Sequence, residues 1–124
     1  MSVQAETLRI ATYNAELTRD GPGLLLRDIL KGKDPQLIAV RDVVAQVGPD
    51  ILVLQNVDFD HGLDALSALQ AWLAVGGVDY PHIFALPPNS GVPTGLDMDG
   101  DGRLGRPQDA QGFGRFYGEG GMAL

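Results

Sequence analysis

The sequence predicts an α/β fold, and three observations predict it. Strand-like and helix-like segments alternate from residue 7 to residue 86, and the helical ones space their apolar residues at three and four. Each helical segment carries a proline or glycine boundary signal, and the central strand is apolar along most of its length. Strand, helix, strand, helix, strand in that order implies parallel pairing through right-handed crossovers.

The first strand is expected over residues 7–15, with Leu8, Ile10 and Thr12 as its apolar and β-branched members. Asp20-Gly21-Pro22-Gly23 is a turn signal, and residues 24–30 then take helical apolar spacing up to Lys31-Gly32-Lys33. Asp34 before Pro35 reads as an N-cap followed by proline at the first helical position. Leu37, Val40, Val44 and Val47 make one apolar stripe, which Gly48-Pro49 stops. Residues 50–57 form the buried strand. Asp60 or His61 leads into a helix with Leu63, Leu66, Leu69 and Leu73 on one side, ended by Gly76-Gly77. Residues 82–86 are expected as a short third strand. His61 is then expected to start a helix and His82 to open a strand, neither in a catalytic role, while Trp72 belongs with the core.

Beyond Leu86 the character changes. The 87–120 segment is rich in glycine and aspartate and lacks any helical or strand period, and so long an irregular stretch is usually functional. Gly121-Met122-Ala123-Leu124 reads as the opening of another apolar strand. Three strands and two or three helices leave a sheet face uncovered, so residues 1–124 are expected to be a single, partial domain. Either the rest of the domain or self-association would cover that face.

Composition narrows the function. The 124 residues include no cysteine, which excludes disulfides and thiolate metal sites. A formal net charge of −7 gives no overall attraction to nucleic acid. No apolar run reaches membrane-spanning length, and the first six residues do not resemble a signal peptide.

The sharpest local motif is Asp97-Met98-Asp99-Gly100-Asp101-Gly102-Arg103-Leu104. Carboxylates at alternate positions followed by glycine form the first half of an EF-hand-type calcium loop. Asp97, Asp99 and Asp101 are the expected ligands, with the Arg103 carbonyl, and Leu104 is expected to point into the core. Position twelve is Gln108 instead of a bidentate glutamate, and Asp109 follows it. The motif is therefore read as a Ca²⁺ loop over residues 97–109 without flanking helices. Calcium there suits a secreted or periplasmic protein. In Gly112-Phe113-Gly114-Arg115-Phe116-Tyr117-Gly118, Arg115 is a candidate phosphate or base contact, against a glycine-rich turn pinned by Phe113 and Phe116 on the sheet.

Polar residues close both central strands, Asn14 after Ala11-Thr12-Tyr13 and Gln55-Asn56-Val57-Asp58 after Leu54. Together with the helix and Gly-Pro-Asp lead-in between them, these segments resemble the endonuclease/exonuclease/phosphatase superfamily. Leu8 to Asn14 is similar to its first-strand motif, and Pro49 to Gln55 to the strand that runs into a Leu-Gln-Glu motif. The resemblance implies half of a two-sheet α/β sandwich with outer helices, deoxyribonuclease-I-like and truncated. It further implies a Mg²⁺- or Mn²⁺-dependent phosphoesterase acting on phosphodiesters or phosphomonoesters, in which Asn14 orients the phosphate. Asn56 stands where the family has its metal-binding glutamate, and Asp58 is the candidate to compensate. The family's later Asp-x-Asn and Ser-Asp-His segments do not occur here, so the chain is expected to be inactive alone. The alternative is a non-catalytic, calcium-stabilised binding or structural module. Nucleic acid, lipid and small phosphate esters all remain open as the phosphoester.

Overall fold

Alternation sets the sheet. In the computed structural model, which describes residues 6–123, strand β1 (Ile10–Leu17) turns Tyr13, Ala15 and Leu17 inward and leaves Ile10, Thr12 and Asn14 exposed. Helix α1 (Leu24–Lys31) follows, burying Leu25 and Ile29 one turn apart. Helix α2 (Pro35–Val47) begins as its sequence dictates. The Asp34 carboxylate accepts the amides of Gln36 and Leu37 at 2.8 and 3.3 Å, and Pro35 takes the first helical position. Gly48, left-handed at φ 60°, ends that helix.

Strand β2 (Ile51–Val57) lies parallel to β1, with Ile10 opposite Ile51 and Asn14 opposite Gln55. Helix α3 (Asp64–Val75) buries Ala65, Leu66, Leu69 and Leu73. Asp60 caps it from outside, accepting the amides of Asp64 and Ala65 at 2.7 and 3.0 Å. Strand β3 (Gly121–Ala123) runs antiparallel to β2, giving the order β1-β2-β3. The result is a small α/β unit with a mixed three-stranded sheet and three helices. Leu124, expected to continue the last strand, lies outside the described residues, as do residues 1–5.

The core forms between one sheet face and the helices. Leu17, Leu25, Leu37, Val44 and Leu69 are its most completely buried members. Trp72 packs at its margin, donating Nε1–H to the Leu37 carbonyl at 2.9 Å beneath the Arg41 guanidinium, 4.5 Å above the ring. The opposite sheet face carries Ile10, Ile51 and Met122, all exposed. No helix among the described residues is long and apolar enough to cross a membrane.

Three expectations need correcting. The first strand sits two to three residues later than expected, because Ala15 and Leu17 are buried while Leu8 is exposed. Residues 82–86 are not a strand; only Ala85 bridges, to Ala123. Pro81, Pro87 and Pro88 bracket that stretch and remove ladder donors, and β3 takes the position beside β2 instead. His82 accordingly opens no strand and is exposed. The 87–120 segment holds two single 3₁₀ turns, Pro107–Asp109 and Gln111–Phe113, and folds back on itself through the Pro93–Ala110 bridge. Gly91 and Gly114 let its two arms touch: a Cβ on either would overlap the backbone of the other arm.

Candidate functional site

The parallel strands bring Asn14 and Asn56 to one sheet edge, and an irregularity makes them meet. Pairing is regular up to Asn14 and Gln55, then resumes at Leu17 and Val57, so two residues of β1 oppose one of β2. At this bulge Glu16 and Asn56 both adopt left-handed backbone, φ 51° and 57°. Asparagine tolerates that region well and glutamate less so. Gln36 secures the bulge, its Nε2 donating to the carbonyls of Ala15 at 3.1 Å and Glu16 at 2.8 Å. The β2–β3 pairing shifts at the same place, between Gln55 and Val57. Here Asn56 Nδ2 donates to Asn14 Oδ1 at 2.7 Å. The pair lines an open cleft of about 500 Å³ with Gln55, Pro88, Gly120 and Met122.

Asp58 stands just behind. It is buried, and its two oxygens accept the amides of Arg19 at 2.8 Å and Gly120 at 3.1 Å. Burial raises its carboxyl above the usual range, against the pull of those two amides. Asp58 therefore ties the end of β1 to the segment that enters β3.

The strand-end donor set does not by itself fit Mg²⁺ or Mn²⁺. Such ions are held through one or two carboxylates. Asn14 Oδ1 already accepts from Asn56, Asn56 offers one neutral oxygen, and both oxygens of Asp58 face backbone amides.

The acidic loop is built separately. Asp97 gathers backbone donors, Oδ1 accepting from Gly100 at 2.8 Å and Asp101 at 3.1 Å, and Oδ2 from Gly102 at 2.8 Å. These bonds, the Gly102 amide foremost, hold its carboxyl below the usual range. The Asp101 amide favours ionised Asp99. Desolvation, the shared hydrogen bond with Asp97 and the charges of Asp101 and Asp109 outweigh it and push Asp99 up. Asp109 is 2% exposed and accepts the amides of Met98 at 2.9 Å and Arg106 at 3.2 Å. One carboxylate oxygen from each of Asp97, Asp99 and Asp109 lies within 4.8 Å of the others.

Asp101 turns away from that trio, accepting the Arg103 amide at 2.8 Å and facing Arg106 Nη1 at 3.5 Å. Leu104 is exposed, contrary to expectation, because no flanking helices build a core beside the loop. Phe113 is 71% exposed and does not pin its turn to the sheet. Arg115 does the anchoring: Nε and Nη2 reach Glu119 Oε1 at 2.9 and 2.6 Å, and Nη1 reaches Asp20 at 2.5 Å. His61 does not start α3; it is exposed beside Tyr117 and Phe59, ring centroids 6.3 and 6.0 Å away.

One arrangement escaped the sequence reading. Arg19, at the end of β1, binds Asp28 at 2.9 Å, Gln36 at 3.0 Å and Asp34 at 3.2 Å, joining the strand end to α1 and α2. The Arg19 hydrogen bond lowers the Asp28 carboxyl below its ordinary value, with Arg27 assisting against desolvation. Only the run of opposite charges, Arg19 against Asp28 and Asp34, hinted at it.

Compared with known proteins, the chain matches no protein-family model, no curated protein and no solved structure.

Proposed function

We propose that this chain supplies the phosphate-facing strand ends of a phosphoesterase-type site, and that it binds a phosphoester without hydrolysing it on its own. The observation that carries this reading is the 2.7 Å bond between Asn14 and Asn56 across adjacent parallel strand ends. Ligands of open α/β sheets bind outside the carboxyl ends of the strands. Left-handed backbone at non-glycine residues is often retained where function requires it, and Glu16 and Asn56 both hold it at this edge. Side-chain amides can donate to phosphate oxygens without adding negative charge, which matters in a chain of net charge −7.

In-line hydrolysis needs an activated water and a counter-charge for the phosphoryl group. Neutral amides supply neither, so any Mg²⁺ or Mn²⁺ in the complete reaction takes its carboxylates from outside these strand ends. Titrating a dialkyl phosphate while following the side-chain amide signals of Asn14 and Asn56 tests the binding. Both signals should shift, with no turnover of a generic phosphodiester in Mg²⁺, and Asn14→Ala should abolish the Asn56 shift. Metal-dependent turnover would show a complete catalytic centre, and unmoved amides would end the phosphate reading.

The Asp97, Asp99 and Asp109 trio favours a second reading, a non-catalytic module whose long loop is ordered by calcium. Three converging carboxylates repel one another until a cation joins them.

A further inference from the structure

Successive carbonyls of a regular strand point to opposite sides, yet those of Ala15 and Glu16 both accept from one donor, Gln36 Nε2. The bulge permits this, with Glu16 left-handed and two residues of β1 facing one of β2. Gln36 is itself fixed from two further sides. Its backbone amide donates to the Asp34 carboxylate that caps α2. Its Oε1 accepts from Arg19 Nη1 at 3.0 Å, and a guanidinium, which only donates, settles which end of the amide faces it. Nε2 is thereby left for the bulge. Arg19 is held in turn by Asp28 and Asp34. Its backbone amide binds Asp58, whose other oxygen holds Gly120 in the wall of the cleft.

We propose that Gln36 is a positioning residue of the Asn14–Asn56 cleft: through the bulge it sets the two amides for a phosphate oxygen, and Arg19 keeps it in the donating orientation. The proposal rests on the phosphate reading of that cleft. Gln36 does not line the cleft, so its effect passes through the backbone of Ala15 and Glu16. Left-handed backbone is unfavourable for glutamate and persists only where the surroundings hold it. Released from Gln36, Glu16 relaxes toward extended backbone, and the strand ends lose the offset that lets Asn56 reach Asn14.

Two substitutions in the full chain test this. Gln36→Glu keeps an acceptor for Arg19 and suits the first turn of a helix, but at neutral pH it offers the bulge no donor. Gln36→Met keeps the length of the side chain and loses both contacts. In phosphate-free protein, both variants should move the Asn56 side-chain amide signal to where Asn14→Ala puts it. Both should also weaken binding of dimethyl phosphate about tenfold, the equivalent of one hydrogen bond. In Gln36→Glu that loss should come with a melting temperature close to the parent's, whereas a merely structural role would make affinity follow stability. A parent-like Asn56 signal in either variant would overturn the proposal. Parent amides unmoved by dimethyl phosphate would end the phosphate reading, and the Asn56 signal without phosphate would still decide whether Gln36 sets the pair.

Discussion

Between Ile10 and Tyr80 the chain buries Leu17, Leu25, Leu37, Val44 and Leu69 almost completely. Between Pro87 and Gly120 the buried residues are one carboxylate, Asp109, and two glycines, Gly114 and Gly118. The first region is held by removing apolar surface from water. The second region leaves its large apolar side chains exposed, Leu96, Met98, Leu104 and Phe113 among them, and its shape comes from backbone amides converging on Asp97 and Asp109 and from Arg115 gripping Glu119 and Asp20. A single chain thus uses two kinds of stabilisation, and they should respond to different perturbations.

Truncating the core gives the largest expected effect. Leu69→Ala removes a side chain that is 1% exposed and should cost about 3 kcal/mol in chemical denaturation. Leu104→Ala, in the loop and 66% exposed, should cost less than about 0.5 kcal/mol. Equal losses would erase the contrast between the regions. Next comes Asp109→Ala, which strands the amides of Met98 and Arg106 and should cost about 2 kcal/mol. Its distinguishing sign is local, because protease should cut near residues 98–106 long before the core opens. A variant that melts earlier but is cleaved no faster there would show that Asp109 belongs to the core after all.

A smaller effect should come from calcium. Binding to the folded form alone raises the melting temperature in proportion to the logarithm of ion concentration. Millimolar Ca²⁺ should therefore raise it by a few degrees, and Asp99→Ala should remove the rise. Exchange of loop amides such as Gly102 should slow, while that of Leu69 follows global stability only. If Asp99→Ala binds Ca²⁺ as the parent does, the trio is a solvated acidic turn.

The contrast also explains what the sequence disclosed. Apolar period marked α1, α2, β2 and α3 because burial of Leu25, Leu37, Leu52 and Leu69 is the reason those segments exist. Asp34-Pro35 and Gly48 were legible because caps act over three or four residues. The proline-bracketed 82–86 stretch misled, since strand composition counts for little where ladder donors are missing. At the site, the types and places of Asn14 and Asn56 were readable, but their direct bond was not. That bond depends on a bulge, and nothing local announces that Glu16 will take φ 51°. The Arg19 knot was hidden for a related reason, as its partners lie nine to seventeen residues away and only α1 and α2 bring them together.

Arg19 provides the smallest and most selective test, because it belongs to the packed region yet works by charge. Its guanidinium holds the Asp28 carboxyl below its ordinary value. A carboxyl whose folded pKa is depressed contributes stability that is fully present above the unfolded value, near 3.8, and is lost as pH falls through the folded one. The chain should therefore lose stability in acid below about pH 4, and Arg19→Met should weaken that loss. Asp58 works in the opposite sense, since burial raises its carboxyl and its protonation in acid offsets part of the loss. Urea midpoints between pH 2 and 6 should thus fall less steeply in Arg19→Met than in the parent. The same comparison in Asp58→Asn should show a steeper fall. If Arg19→Met leaves the pH slope unchanged, the acid sensitivity resides outside the packed region, in Asp97 and Glu119, whose carboxyls are also held below their ordinary values.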